Sequence, residues 1–178
     1  MSTVSFVDIF FILVVCGIIW GIMHLVNRSR RLHPAKHPSV PDPALGDSSM
    51  ETIFTTTRVI AVVGHFGGTS ETAQHIEDYL RDKGYVVFTV GRGAKSSVGR
   101  EIFPTLEELP QIPDLVVIAL PGMEVPPWTH SAVAVGARAV WMEKGAVCPE
   151  AMHLAREAGL AVVMDHSVEE QHRRLVQG

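Results

Sequence analysis

At 178 residues the chain has room for one ordinary domain and an appendage, not for a second catalytic domain. Its formal net charge is -4, and after Arg58 the Lys and Arg residues stand singly among Asp and Glu, so no basic stripe exists to meet a phosphate backbone and nucleic acid is not an expected partner. The two cysteines, Cys16 and Cys148, offer neither a disulfide framework nor a Cys-based zinc spacing, which fits a reducing compartment.

The 47% hydrophobic content is high, and the excess is concentrated near the start. The run from Ile9 to Met23 carries no charge, and Leu25 and Val26 extend it past His24. About 18 such residues reach roughly 27 Å as a helix, close to the hydrocarbon thickness of a bilayer. A single transmembrane helix is therefore predicted within residues 1–27, with residues 4–26 in contact with lipid. A cleaved signal peptide would want a basic start and a small-residue cleavage site, whereas Asp8 precedes the run and Asn27-Arg28-Ser29-Arg30-Arg31 follows it. An interfacial helix would need a polar face, which this run lacks. Arg28, Arg30, Arg31 and Lys36 all follow the run, so the positive-inside rule predicts a single-pass protein of the inner or plasma membrane with its C-terminal domain in the cytoplasm. Residues 28–57 hold Pro34, Pro38, Pro41 and Pro43 among Ser, Asp and Thr, and read as a Pro/Ser-rich solvated cytoplasmic linker. His33 and His37 sit among prolines, which argues against a helical metal pair.

Residues 58–178 carry the globular pattern. Arg58 to Val63 is a β-branched apolar run ending at Gly64, as expected of a central strand covered on both faces. Ala73, Ile76 and Leu80 then fall at helical spacing in a helix opening at Glu71, capped by Thr69 or Ser70 and stopped by Gly84. Tyr85 to Val90 is a second strand, and so short a strand-helix-strand connection implies a parallel pair with a right-handed crossover. A short strand is expected at Ile102-Phe103, followed by a capping-box turn at Thr105-Leu106-Glu107-Glu108. Further strands are expected at Leu115 to Ala119, Ala139 to Met142 and Leu160 to Met164, with helices starting near Pro126 or Pro127, at Pro149, and after Ser167. The fold class is α/β: an open parallel sheet of five to six strands with helices on both faces, preceded by the transmembrane helix.

Ligands of such sheets bind outside the carboxyl ends of the strands, so the site is expected in loops. The first loop, Gly64-His65-Phe66-Gly67-Gly68-Thr69-Ser70, leads into a helix N-terminus, where free amides and the helix dipole favour a phosphate. Its spacing matches neither the dinucleotide fingerprint nor a P-loop, and a tight turn alone would also account for its glycines. Sites for NAD usually place an acid after the second strand, but here Gly91-Arg92-Gly93-Ala94-Lys95 stands there, with Arg100 beyond. Cations suit a ribose that bears a phosphate, as in NADP and coenzyme A; the competing explanation is a solvated loop.

Several stretches together resemble the CoA-binding domain family, the Rossmann-like module of the succinyl-CoA synthetase α subunit and of small stand-alone bacterial proteins. They are residues 60–64, 84–87, 103–110, 136–142 and 155–165. The resemblance implies a site for CoA or an acyl-CoA built from Gly64, His65, Phe66, Gly67, Gly68, Thr69, Ser70, Gly91, Arg92, Lys95, Pro121 and Glu143, with NADP as the alternative. Departures fall in the loops: His65-Phe66-Gly67, Gly91-Arg92, Leu120-Pro121, Glu143 and Asp165-His166-Ser167 stand where the family often has a Ser or Asn and Pro-rich loop, Asn-Pro, Arg, Gln and Asp-Arg-Cys.

No spacing enforces a catalytic triad among His65, His130, His166, Glu143 and Asp165, and no metal motif occurs. Cys148 opens a helix, where a thiol can be activated, but the sequence favours a small buried residue there. Trp128 and Trp141 are candidates for a contact between two copies of the chain in a homodimer. The sequence thus favours a membrane-anchored, non-catalytic or regulatory CoA module. An NADP-dependent or acyl-CoA-using enzyme subunit completed by a partner chain, or a ligand-free scaffold, stands as the alternative.

Overall fold

A computed structural model describes residues 46–66, 71–92 and 101–176. The chain divides into two units, Met1–His37 and Pro38–Gly178, and the described residues belong to the second. The predicted transmembrane segment lies outside them; among the described residues no helix is long and apolar enough to cross a membrane.

Six strands alternate with helices: α1 (Asp47–Thr56), β1 (Val59–His65), α2 (Glu71–Asp82), β2 (Val86–Arg92), β3 (Ile102–Phe103), β4 (Leu115–Ile118), α3 (Val125–Val135), β5 (Ala139–Met142), α4 (Pro149–Glu157), β6 (Ala161–Met164) and α5 (Val168–Val176). Single 3-10 turns occupy Leu106–Glu108 and Gly122–Glu124. All pairings are parallel, in the order β3-β2-β1-β4-β5-β6.

Period-two alternation sorts the strand residues into two cores. Ile60, Val62, Val87, Leu115, Val117, Trp141 and Val163 face α1, α2 and α5, whereas Ala61, Val63, Val90, Val116, Ile118, Val140 and Met142 face α3 and α4. Both sets are essentially buried, which is why the strands read as continuous apolar runs. Gly84 and Gly136 end α2 and α3 in the left-handed conformation that favours glycine.

Helix α1 corrects the linker reading. Residues 47–56 were expected in the solvated spacer, but Met50, Ile53 and Phe54 recur at helical spacing and bury against the sheet, with Phe54 5.1 Å from the Trp141 ring. The Ser and Thr that fill the rest of the segment conceal this stripe, because they favour caps and turns over helix interiors. Thr52, Thr55 and Thr56 bond back to carbonyls within the helix, reconciling their hydroxyls with it.

The capping box at Thr105 is also corrected: its hydroxyl lies 3.4 Å from the Glu108 side chain and caps no amide, so Leu106–Glu108 is a single 3-10 turn anchored by buried Leu106.

At the amino edge of the sheet, Asp114 accepts from the Arg58 and Val59 amides at 2.9 and 3.0 Å and lies 3.8 Å from Arg138, pinning β1 to the start of β4. That edge is stapled shut. The carboxyl edge is left to the loops.

Candidate functional site

The strand order reverses between β1 and β4. From β1 the chain passes through α2 on one face, and from β4 through α3 on the other, so the connections diverge beyond the carboxyl ends of these two strands, the place where sheets of this kind form a ligand crevice. Gly64 and Gly91 pair in register at the ends of β1 and β2, and the next rung sets His65 beside Arg92. The first and second loops therefore leave the sheet as backbone neighbours.

Packing accounts for both glycines. A Cβ at Gly64 would overlap the Cβ of Ala73 on α2, and one at Gly91 would collide with the Gly64 carbonyl oxygen. The glycines let α2 and β2 close on β1, the service that close helix–strand packing asks of a glycine in related sheets. Phe66 is buried, and its ring would touch a Cβ at Gly64 at 3.5 Å and one at Gly91 at 3.2 Å. It therefore belongs to the α2-side core at the base of the loop.

His65 falls on the opposite face, as strand alternation requires, and meets Glu124. Its Nε2 is 3.2 Å from each Glu124 carboxylate oxygen. This pair spans the crevice from the end of β1 to the turn after β4. Glu124 is held in place by its own backbone: its amide donates to the Pro121 carbonyl at 2.8 Å, and the Val125 amide returns to Gly122. Gly122 is wedged against the Val147 carbonyl so closely that no Cβ would fit, which joins the β4 and β5 loops. Exposed Met123 and half-exposed Val147 form the outer apolar surface of these joined loops.

The two helices flanking the crevice begin differently. Helix α2 starts Glu71-Thr72-Ala73-Gln74, each with an amide, whereas α3 starts Val125-Pro126-Pro127, with no N-H at its second and third positions. At the α3 start the Glu124 side chain, in the N-cap position, caps nothing and turns to His65 instead. An anion is favoured at the α2 end and disfavoured at the α3 end.

Glu143 has a task of its own. Its buried carboxylate accepts from the Val168 amide at 3.0 Å and so caps α5. Burial pushes its pKa up, against the amides of Val168 and Lys144 and the Ser167 hydroxyl, which stabilise the charged form. Asp165, at φ 62°, accepts from the Gly145 amide at 2.9 Å, and the His166 ring bonds the Met164 carbonyl at 2.8 Å. These groups serve the β5 and β6 turns and do not converge on His65. His130 is exposed, and Pro121 stands exposed at the mouth of the β4 loop. Half-buried Cys148 begins α4 without capping it through its side chain. Among the described residues, no three His, Cys, Asp or Glu side chains gather as a metal site.

Trp141 is fully buried, with its indole N-H donated to the His166 carbonyl at 2.7 Å, which removes it from any surface between copies. Trp128 is half-buried against the α3-side core. Gly67, Gly68, Thr69, Ser70 and Lys95, with Arg100, lie outside the described residues, and for Arg92 only the backbone is described.

The Leu120 to Glu124 loop is among those expected at the carboxyl edge, but the pairing of Glu124 was missed because nothing in one dimension joins it to a histidine 59 residues away. Its position two residues ahead of Pro126-Pro127 was the available signal. A second missed feature is His172, buried under α1 and α2 and bonded to Tyr79 and Tyr85.

Comparison with known proteins follows the same outline. A family model described as CoA binding domain matches residues 58–173. A protein of Bacillus subtilis (strain 168), YneT, whose name describes it as uncharacterized, is 23% identical over 125 residues, spanning 70% of this chain and 93% of that protein. Among solved structures, Prb, a PH1109 protein redesigned for binding, superposes with a TM-score of 0.72 at 27% identity, covering 78% of this chain and 97% of its own. A hypothetical protein from Pyrococcus horikoshii OT3 gives 0.70 at 27% identity, with 76% and 97% covered.

Proposed function

The chain belongs to the CoA-binding domain family, and we propose on that premise that its Rossmann-like domain is a non-catalytic or regulatory module that binds CoA or an acyl-CoA at the β1–β4 crevice. The observation that supports this reading is the register that sets Arg92 beside His65, because it brings side by side the strand ends from which the glycine-rich and the basic stretches follow in the sequence. In this arrangement the diphosphate meets the amides of Gly67 to Ser70 at the start of α2, and Arg92, with Lys95, meets the phosphate on the adenosine ribose. The uncharged pantetheine arm runs toward the α3 side, where prolines and Glu124 offer nothing to an anion.

Isothermal titration of the full-length chain in mild detergent against CoA, acetyl-CoA, NAD and NADP tests the reading. Saturable CoA binding that is lost in Arg92→Glu is the expected result. Preference for NADP would favour a redox subunit, and silence toward all four would leave a scaffold.

The same proposal places the domain at a membrane, since the apolar run within residues 4–26 followed by Arg28, Arg30 and Arg31 suits a single-pass anchor with a cytoplasmic C-terminus. A topology reporter fused after Gly178 should report the cytoplasm. A signal from the far side of the membrane would overturn that orientation.

A further inference from the structure

We propose that Glu124 is an electrostatic latch on the crevice: it holds His65 across the opening, and an entering ligand must displace it. This inference rests on the CoA reading of the crevice and adds to it a residue that weakens binding.

Three observations converge on it. The carboxylate places both oxygens 3.2 Å from the same ring nitrogen, so His65 and Glu124 are joined across the reversal point of the sheet. Their side chains remain 48% and 42% exposed, so either can swing aside without opening the core. And Glu124 stands in the N-cap position of α3 yet caps no amide, because Pro126 and Pro127 carry none and the Val125 amide is already engaged. A carboxylate in that place would ordinarily serve its own helix. Here its partner is on the other side of the site.

A ligand carrying several phosphate charges meets a like charge at the mouth and a histidine whose Nε2 is already engaged. Binding must turn the carboxylate outward and offer the imidazole N-H to a phosphate oxygen. Glu124 therefore raises the ligand concentration needed for occupancy, and it selects for ligands whose α3-side half is uncharged.

The test is titration of the full-length chain with CoA, comparing the native sequence, Glu124→Gln and Glu157→Gln. Residue 157 sits on the exposed C-terminal end of α4, so its variant removes the same charge away from the crevice. Glu124→Gln should tighten CoA binding by about three- to tenfold in low salt, the gain shrinking as ionic strength rises, while Glu157→Gln leaves affinity unchanged. Glu124→Ala should move in the same direction, which guards against a hydrogen bond retained by Gln. If the native chain binds CoA and Glu124→Gln binds it equally or more weakly, the latch is overturned and the CoA reading stands. If Glu124→Gln and Glu157→Gln tighten binding alike, general charge rather than a latch is responsible, and the latch is overturned. Absence of CoA binding in every protein overturns both.

Discussion

Replacing His172 with Gln should make the stability of the domain less dependent on pH between 5.5 and 7. His172 is buried, Tyr79 Oη lies 2.9 Å from its Nδ1, and Tyr85 Oη lies 3.1 Å from its Nε2. Tyr85 also reaches the Phe54 carbonyl at 3.3 Å, and there it must donate. It consequently accepts from Nε2-H, which leaves Nδ1 to accept from Tyr79, and the neutral imidazole satisfies the whole chain of bonds. Burial, reinforced by Lys83, holds the His172 pKa below its ordinary value. The surroundings are otherwise cationic above Tyr79, with Lys83 and Arg173 5.4 and 5.3 Å from its ring, and the negative charge of Glu169 on α5 also acts on Tyr79. The folded state therefore refuses a proton that the unfolded chain accepts. Stability from this residue is complete above the unfolded value near 6.5 and is lost as pH falls from there toward the folded value. One proton limits the slope to about 1.4 kcal/mol per pH unit. Gln keeps one acceptor and one donor and does not titrate. Urea unfolding of the full-length chain at pH 7.5, 6.5 and 5.5 should show the native protein losing stability toward acid faster than the variant. Glu143, whose raised pKa favours the fold on acidification, is present in both proteins and cancels in the difference. Parallel pH profiles, or a His172 resonance titrating at or above 6.5, would refute the reasoning.

Glu143→Gln should leave the fold as stable or slightly more stable, since an amide oxygen can still accept from Val168 without burying a charge, whereas Glu143→Ala should cost about 1–3 kcal/mol in chemical unfolding by orphaning that amide. Thr89 is buried on β2 with no hydrogen-bond partner for its hydroxyl among the described residues, so Thr89→Val should be neutral or stabilising by up to about 1 kcal/mol, read as a shift in unfolding midpoint. Gly64→Ala should lower stability by about 1–3 kcal/mol, because its Cβ meets Ala73 Cβ rather than a movable side-chain end, and the melting temperature should fall with it.

The sheet was legible because its strands are buried on both faces and so announce themselves as β-branched runs, with Gly84, Gly136 and Gly159 marking where the helices stop. Helix α1 was obscured by composition. Its three buried residues carry the tertiary signal while seven polar or small neighbours carry the local one, and packing on Trp141 decides the outcome. Site chemistry was harder to read because loop partners are chosen by topology. Spacing alone left His65 without an assigned partner; alternation along β1 turns it to the α3 face, while Glu143 extends from β5 to the opposite face and reaches α5. Knowing which face each strand end presents separates these two acids; sequence distance does not.

That same alternation divides the work of the first loop. Gly64 points toward α2 and is fully explained by Ala73, so its presence bears on how tightly helix and strand close rather than on a ligand. The odd-numbered residue after it points to the crevice wall shared with α3, where Glu124 stands. On the proposed CoA reading, phosphate recognition is assigned to Arg92, in register with His65, and to the glycine-rich stretch that follows buried Phe66 in the sequence. Loss of function through Gly64 would accordingly arrive with loss of stability, whereas loss through Arg92 would arrive in a protein that still folds. A crevice bounded by an amide-bearing helix start on one side and by an acid and two prolines on the other is polarised before any ligand enters, and a molecule with its charges gathered at one end fits that polarity in a single orientation.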